Sequence, residues 1–151
     1  VLEFNARFGD PETQVILPRL ASALGPVLLA AARGRLDAGT RIAVLPGAAA
    51  GIVLAGRGYP GTPATGDRIE GLDEAAAAGA LVFHAGSRAT DDGWVTAGGR
   101  VLTVVGRGPD GDAARDAAER AAEHITWPGM QRRHDIGAAP APASAPVGAA
   151  R

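Results

Sequence analysis

Apolar and polar positions alternate strictly over residues 2–8. Leu2, Phe4, Ala6 and Phe8 fall on one side of an extended chain and Glu3, Asn5 and Arg7 on the other. The pattern predicts a half-buried strand with a polar row on its outer face. Asp10 then caps a helix with Pro11 at its first position and Glu12 in its first turn, where a carboxylate suits the dipole. Val15, Ile16, Leu17 and Leu20 continue that helix. A second helical stretch carries Val27, Leu28, Leu29 and Ala31, with Gly25-Pro26 as the break, and ends near Leu36.

A turn at residues 37–40 marks the expected domain boundary, near residue 40. Beyond it, Ile52, Val53 and Leu54 make a strand closed by a cluster of glycine and proline. Residues 80–87 and 99–108 read as strands, and the polar segment 88–99 between them as a hairpin-like connection. From Asp112 a helix is expected, with Ala113, Ala117 and Ala121 on one side and Ala114, Ala118 and Ile125 beside them. Arg115 with Glu119 and Arg120 with Glu123 would add charge pairs worth about 0.3 kcal/mol each. Residues 138–151 alternate alanine with proline, bury too little to offset their ordering entropy, and are expected to be disordered. The elements together predict an α+β fold in two parts.

Composition narrows the chemistry. Hydrophobic residues make up 46% of the chain and charged ones 21%, a globular balance with a modest core, because alanine buries little area. A net charge of -1 gives no electrostatic footprint for nucleic acid. No apolar run approaches the roughly 20 residues of a membrane span, so a soluble, cytoplasmic protein is expected. Cysteine is absent, which excludes disulfides and thiol chemistry. All 15 basic residues are arginine, so no Schiff-base or phosphate-gripping lysine lies within these residues. The chain does not begin with Met and its strand starts at once, so a fragment or a processed chain is expected.

Several motifs compete for a function. Glu3 and Asn5 offer oxygen ligands of the kind magnesium accepts, and Arg7 beside them suits a phosphate or acyl phosphate oxygen, although a wet outer strand face needs no such role. "GRGYPG" at 56–61 and "GRGPDG" at 106–111 match the dinucleotide fingerprint. The first runs into Thr62-Pro63 instead of a helix. The second sits between strand and helix but lacks a following strand with a ribose-binding acid, which leaves a turn as the simpler reading. His84, His124 and His134 lack metal spacing, and Ser22, Ser87 and Ser144 lack nucleophile-elbow surroundings. "RRHD" at 132–135 is either an anion site or a charged surface turn.

"EFNARFGDPETQ", residues 3–14, resembles the signature of the glycinamide ribonucleotide synthetase (phosphoribosylamine-glycine ligase) family of the ATP-grasp superfamily. The resemblance continues in order through "GYPG" (58–61), "TGDRIEGL" (65–72), "VFHAGS" (82–87), "GGRVLTVVGRG" (98–108) and "RHDIG" (133–137). It implies that residues 1–40 end an ATP-grasp catalytic region. Residues 41–137 would then form a small antiparallel C-terminal domain of the rudimentary hybrid or barrel-sandwich type. It further implies that Glu3 and Asn5 hold Mg2+ or Mn2+, and that Arg7 is catalytic and contacts substrate. Asp10, Pro11 and Glu12 would belong to the pocket for 5-phosphoribosylamine or glycine, with Tyr59 and Pro60 in a loop nearby. ATP would be a substrate, and the full-length enzyme would be a cytoplasmic monomer of purine biosynthesis without nucleic-acid or membrane partners. Ala6, where the family commonly has a larger residue, and the Ala/Pro tail depart from the family pattern. The fragment alone is expected to be inactive. The rival expectations are a non-catalytic interaction module derived from that ligase and a nucleotide-binding domain built on "GRGPDG".

Overall fold

The apolar run Val101, Leu102, Val104 and Val105 is fully buried, and Thr103 between them is buried too. It forms the middle of β6 (Arg100–Gly108), which lies between β1 (Ala48–Ala55) and β3 (Leu81–His84) in an antiparallel sheet. A central strand covered on both faces reads as continuous hydrophobicity, as this one does. The register runs from Ala48 opposite Gly108 to Leu54 opposite Leu102, then shifts so that Ala55 meets Arg100.

In the computed structural model residues 6–138 are described. The expected strand at residues 2–8 therefore falls largely outside the described residues, as does nearly all of the expected disordered tail. Ala6 to Gly9 are not in a strand, and Phe8 is half exposed instead of facing a core.

Helix α1 (Glu12–Ile16) and a 3-10 turn (Leu17–Arg19) lean on β1. Gly51 permits this, because a Cβ there would lie 2.7 Å from Val15 Cγ2. Asp10 does not cap α1: the N-cap is Pro11, without a side-chain bond. The Asp10 carboxylate is drawn instead to Gln14 and Arg100. The second helix, α2 (Leu24–Ala32), contains Gly25-Pro26 in its first turn, where a missing N–H costs nothing. The dipeptide thus opens the helix instead of breaking the chain before it.

A second sheet joins β2 (Arg68–Ile69), β5 (Gly93–Thr96) and β4 (Ser87–Thr90), antiparallel throughout. The β4–β5 hairpin occupies the predicted connection. Strand β2 and helix α3 (Leu72–Ala77) had no periodic signal: β2 has only two residues and α3 only six, half of them alanine. The core joins Ile52, Leu54, Ile69, Val101, Leu102, Ile125 and Trp127 to the small residues of α4 (Gly111–Ala122).

Helix α4 is capped by Asp110, whose Oδ1 accepts from Ala113 N at 2.8 Å. It buries Ala114, Ala118, Ala121 and Ala122 against β6. A Cβ at Gly106 would collide with the backbone of Ala114 and Ala118, and one at Gly108 would lie 2.6 Å from Ala114 N. Gly106 and Gly108 of "GRGPDG" thus let a helix backbone rest on a strand backbone. The predicted charge pairs are replaced by others: Arg115 contacts its neighbour Asp116, and Glu119 meets the distant Arg132 and His134.

Candidate functional site

One cavity of about 400 Å³ collects segments from the whole chain. Pro11 comes from the corner before α1, Tyr59 from the loop after β1, and Arg100 from the start of β6. Arg132, Arg133 and Ile136 come from the segment after α4, and Val53 and Ala55 of β1 add to the apolar wall. That last segment is seated by a two-way bridge, Ala55 N to Gln131 O at 2.8 Å and Gln131 N to Ala55 O at 2.9 Å. Tyr59 approaches Gly99 so closely that a Cβ there would lie 2.7 Å from its ring. Both Asp10-Pro11 and Tyr59-Pro60 are cis peptides.

Each guanidinium of the cavity has a carboxylate partner outside its wall. Arg100 Nη1 donates to Asp10 O at 3.0 Å, and Nη2 lies 3.2 Å from Asp10 Oδ2. Arg132 Nη2 lies 3.4 Å from Glu119 Oε2, with side-chain exposures of 11% and 15%. Arg132 Nε is buried without a partner among the described residues. Arg133 grips Asp135 with two bonds, Nε to Oδ1 at 2.9 Å and Nη2 to Oδ2 at 2.5 Å. That hydrogen bonding lowers the Asp135 pKa and raises that of Arg133. The carboxylates fix the guanidinium planes, and remaining N–H groups stay available for a bidentate anion such as phosphate. Apolar walls beside such a cradle suit a ligand with a ring or carbon skeleton and one anionic end.

The predicted site residues divide. Glu3 and Asn5 lie outside the described residues. Among the described residues no group of three His, Asp or Glu side chains is placed to hold a metal. Arg7 and Glu12 converge at Gly9, where a Cβ would strike the Glu12 carboxylate and lie 3.5 Å from Arg7 Nη1. Thr13 Oγ1 donates to Gly9 O and helps close this corner. Pro11 reaches the cavity wall, and Asp10 orients Arg100 from behind it. "GRGYPG" contributes Tyr59, whereas Gly106 and Gly108 of "GRGPDG" serve packing.

Arg100 was missed as a site residue, although it lies in a motif that carries the family resemblance. Its signal is a charged residue at the head of an apolar strand, directly after Gly98-Gly99. His84 Nδ1 is 2.8 Å from Ser87 Oγ, and its ring stacks on Trp94 at a centroid distance of 3.8 Å, which makes it a surface packing element. Partial burial lowers its pKa.

Residues 49–139 match the family model for the phosphoribosylglycinamide synthetase C domain. Over 141 residues the chain is 52% identical to the phosphoribosylamine-glycine ligase of Streptomyces coelicolor, covering 91% of this chain and 34% of that protein. It is 51% identical over 136 residues to the same-named ligase of Neisseria meningitidis serogroup A, covering 89% and 32%. The crystal structure of the phosphoribosylamine-glycine ligase of Thermotoga maritima superposes with a TM-score of 0.72 at 37% identity. That match covers 90% of this chain and 33% of the solved one. The chain thus spans about a third of the length of the relatives it matches.

Proposed function

The chain belongs to the phosphoribosylglycinamide synthetase C-domain family, and on that premise we propose that it forms the C-terminal portion of a phosphoribosylamine-glycine ligase. The reaction is the ATP-dependent joining of glycine to 5-phosphoribosylamine, giving glycinamide ribonucleotide, ADP and phosphate. Residues 1–40 end the ATP-grasp region, and residues 41–137 form the small C-terminal domain of barrel-sandwich type.

The carrying observation is the meeting of Pro11, Tyr59, Arg100, Arg132 and Arg133 in one mostly apolar cavity. It supports a site for 5-phosphoribosylamine in which the arginines take the phosphate and Tyr59, Val53 and Ile136 flank the sugar. Arg7 and Glu12, gathered at Gly9, stand at the corner beside it, where Arg7 steadies phosphoryl oxygens as negative charge shifts onto them. A carboxylate is a poor electrophile until one oxygen becomes a leaving group, so glycine is activated as an acyl phosphate before the amine attacks. Glu3 and Asn5 supply a carboxylate and an amide oxygen, a donor set that fits Mg2+ or Mn2+. When bound, such an ion offsets charge on the transferred phosphoryl group.

The test uses the ligase that contains this chain, assayed by glycine-dependent ADP release. Glu3→Gln and Asn5→Ala lower turnover by orders of magnitude with the circular dichroism unchanged. Arg133→Ala raises KM for phosphoribosylamine about tenfold or more while KM for ATP stays put. Equal effects on both substrates would remove the phosphate from this cavity.

A further inference from the structure

Two side chains of α4 reach across to the segment that carries Arg132 and Arg133. Arg115 Nη2 donates to His134 O at 2.9 Å. Glu119 Oε2 lies 3.4 Å from Arg132 Nη2 and 3.3 Å from His134 Nδ1. Four residues apart on a helix, Arg115 and Glu119 share a face and are spaced to pair with each other. Apart from the contact of Arg115 with its neighbour Asp116, both are directed to residues 132–134 instead. That segment has few other ties. Its near end is fixed by the bridge between Ala55 and Gln131. From Arg132 to Ile136, His134 O is the only backbone group bonded to another element among the described residues. The grip of Arg133 on Asp135 is local and mostly exposed, so it orients one guanidinium without relating the segment to the sheet. At Gly137, where φ is +70°, the chain turns over the Arg115 stem, and a Cβ there would lie 3.8 Å from Arg115 Cδ. Helix α4 is a firm base for both contacts, because its backbone rests on Gly106 and Gly108 of β6.

We propose that Arg115 and Glu119 form a clamp that positions the arginines for the phosphate end of the substrate. The proposal rests on the ligase reading above, in which Arg132 and Arg133 take the phosphate of phosphoribosylamine. Glu119 acts through the guanidinium of Arg132, and Arg115 through the backbone that carries Arg133. Neither belongs to the cavity wall, so both act on the substrate through another residue. Arg132 and Glu119 are nearly buried, so water screens their attraction less than it does at the surface. An arginine held in one rotamer before the anion arrives loses less freedom on binding. The gain falls on the substrate that carries the anion, so the clamp serves phosphoribosylamine and not ATP.

The ligase that contains this chain is assayed by glycine-dependent ADP release, with each substrate varied in turn and each variant held well below its melting temperature. Glu119→Gln is expected to raise KM for phosphoribosylamine about tenfold, with kcat and KM for ATP within about twofold of the parent. In an Arg132→Met background the same substitution adds nothing further, because its route runs through Arg132. Effects that multiply would place Glu119 in general stability and overturn the proposal. Arg115→Met is expected to raise the same KM about fivefold. Arg115→Lys, which keeps a donor for the His134 carbonyl, should restore most of that loss. Arg120→Ala, exposed on the same helix, leaves all three constants unchanged. A parent-like KM in Glu119→Gln or Arg115→Met overturns the proposal, as does an equal rise in KM for ATP. Arg133→Ala separates this clamp from the ligase reading. If it raises KM for phosphoribosylamine while the α4 variants do not, the phosphate site stands and the clamp falls. If it leaves that KM unchanged, the phosphate assignment falls and takes the clamp with it.

Discussion

Arg100 holds Asp10 at two points, its backbone carbonyl at 3.0 Å and its carboxylate at 3.2 Å, across 90 residues of chain. The contact ties the corner before α1 to the head of the central strand. One wall of the cavity and the segment that leads to Arg7 are therefore held in register by a single guanidinium.

Arg100→Ala is expected to free that corner without unfolding the core. Both side chains are more than two-fifths exposed, so solvent screens the pair and the global loss stays within about 1 kcal/mol. Amide exchange at Thr13 and Gln14 should rise while exchange along β6 does not. Unchanged exchange at both amides would show that α1 is held by its contacts with β1 alone.

Gly106→Ala tests the contact between α4 and β6. The added Cβ would strike helix backbone, which cannot swing aside as a side chain can, so a loss of about 3 kcal/mol is expected in urea unfolding. Gly111→Ala is the control: apart from its chain neighbours and the helix's own backbone no atom lies within 4 Å of its Cβ position, and stability should hold or improve slightly. Equal midpoints for the two variants would refute the backbone contact.

Glu119 and Arg132 form the most buried ion pair among the described residues. Glu119→Gln leaves Arg132 without its counter-charge and is expected to cost about 2 kcal/mol, somewhat below the loss for a fully buried pair. Adding Arg132→Met should recover most of that loss, because the unpaired charge is gone. A double variant as unstable as the sum of the singles would place the effect in packing.

His84 makes stability depend on pH in a defined direction. Its folded-state pKa lies below the ordinary 6.5, because burial disfavours the imidazolium. The unfolded chain therefore binds the proton more readily, and stability falls as pH drops below 6.5 towards the folded value. Above 6.5 the group contributes no slope. Chemical denaturation at pH 7.5 and 5.0 should show a smaller drop for His84→Gln than for the parent chain, and an identical drop would acquit His84.

Local chemistry determined much of this protein before folding. The run Val101–Val105 required a buried strand, the alanine helix after Pro109-Asp110 required close packing, and the order of motifs carried the family. These signals act within a turn or along one strand, so periodicity and turn chemistry reveal them. Tertiary structure decided the rest. Asp10 has a plausible local task as a helix cap and a distant one as partner of Arg100, and the charge-assisted contact prevails. Glu119 likewise has Arg115 four residues away but pairs with Arg132, where burial strengthens the attraction. The cavity exists because the register of β6 against β1 and the bridge at Gln131 bring four distant segments together. No spacing along the chain encodes that meeting, since it depends on which strands pair and on what packs across them.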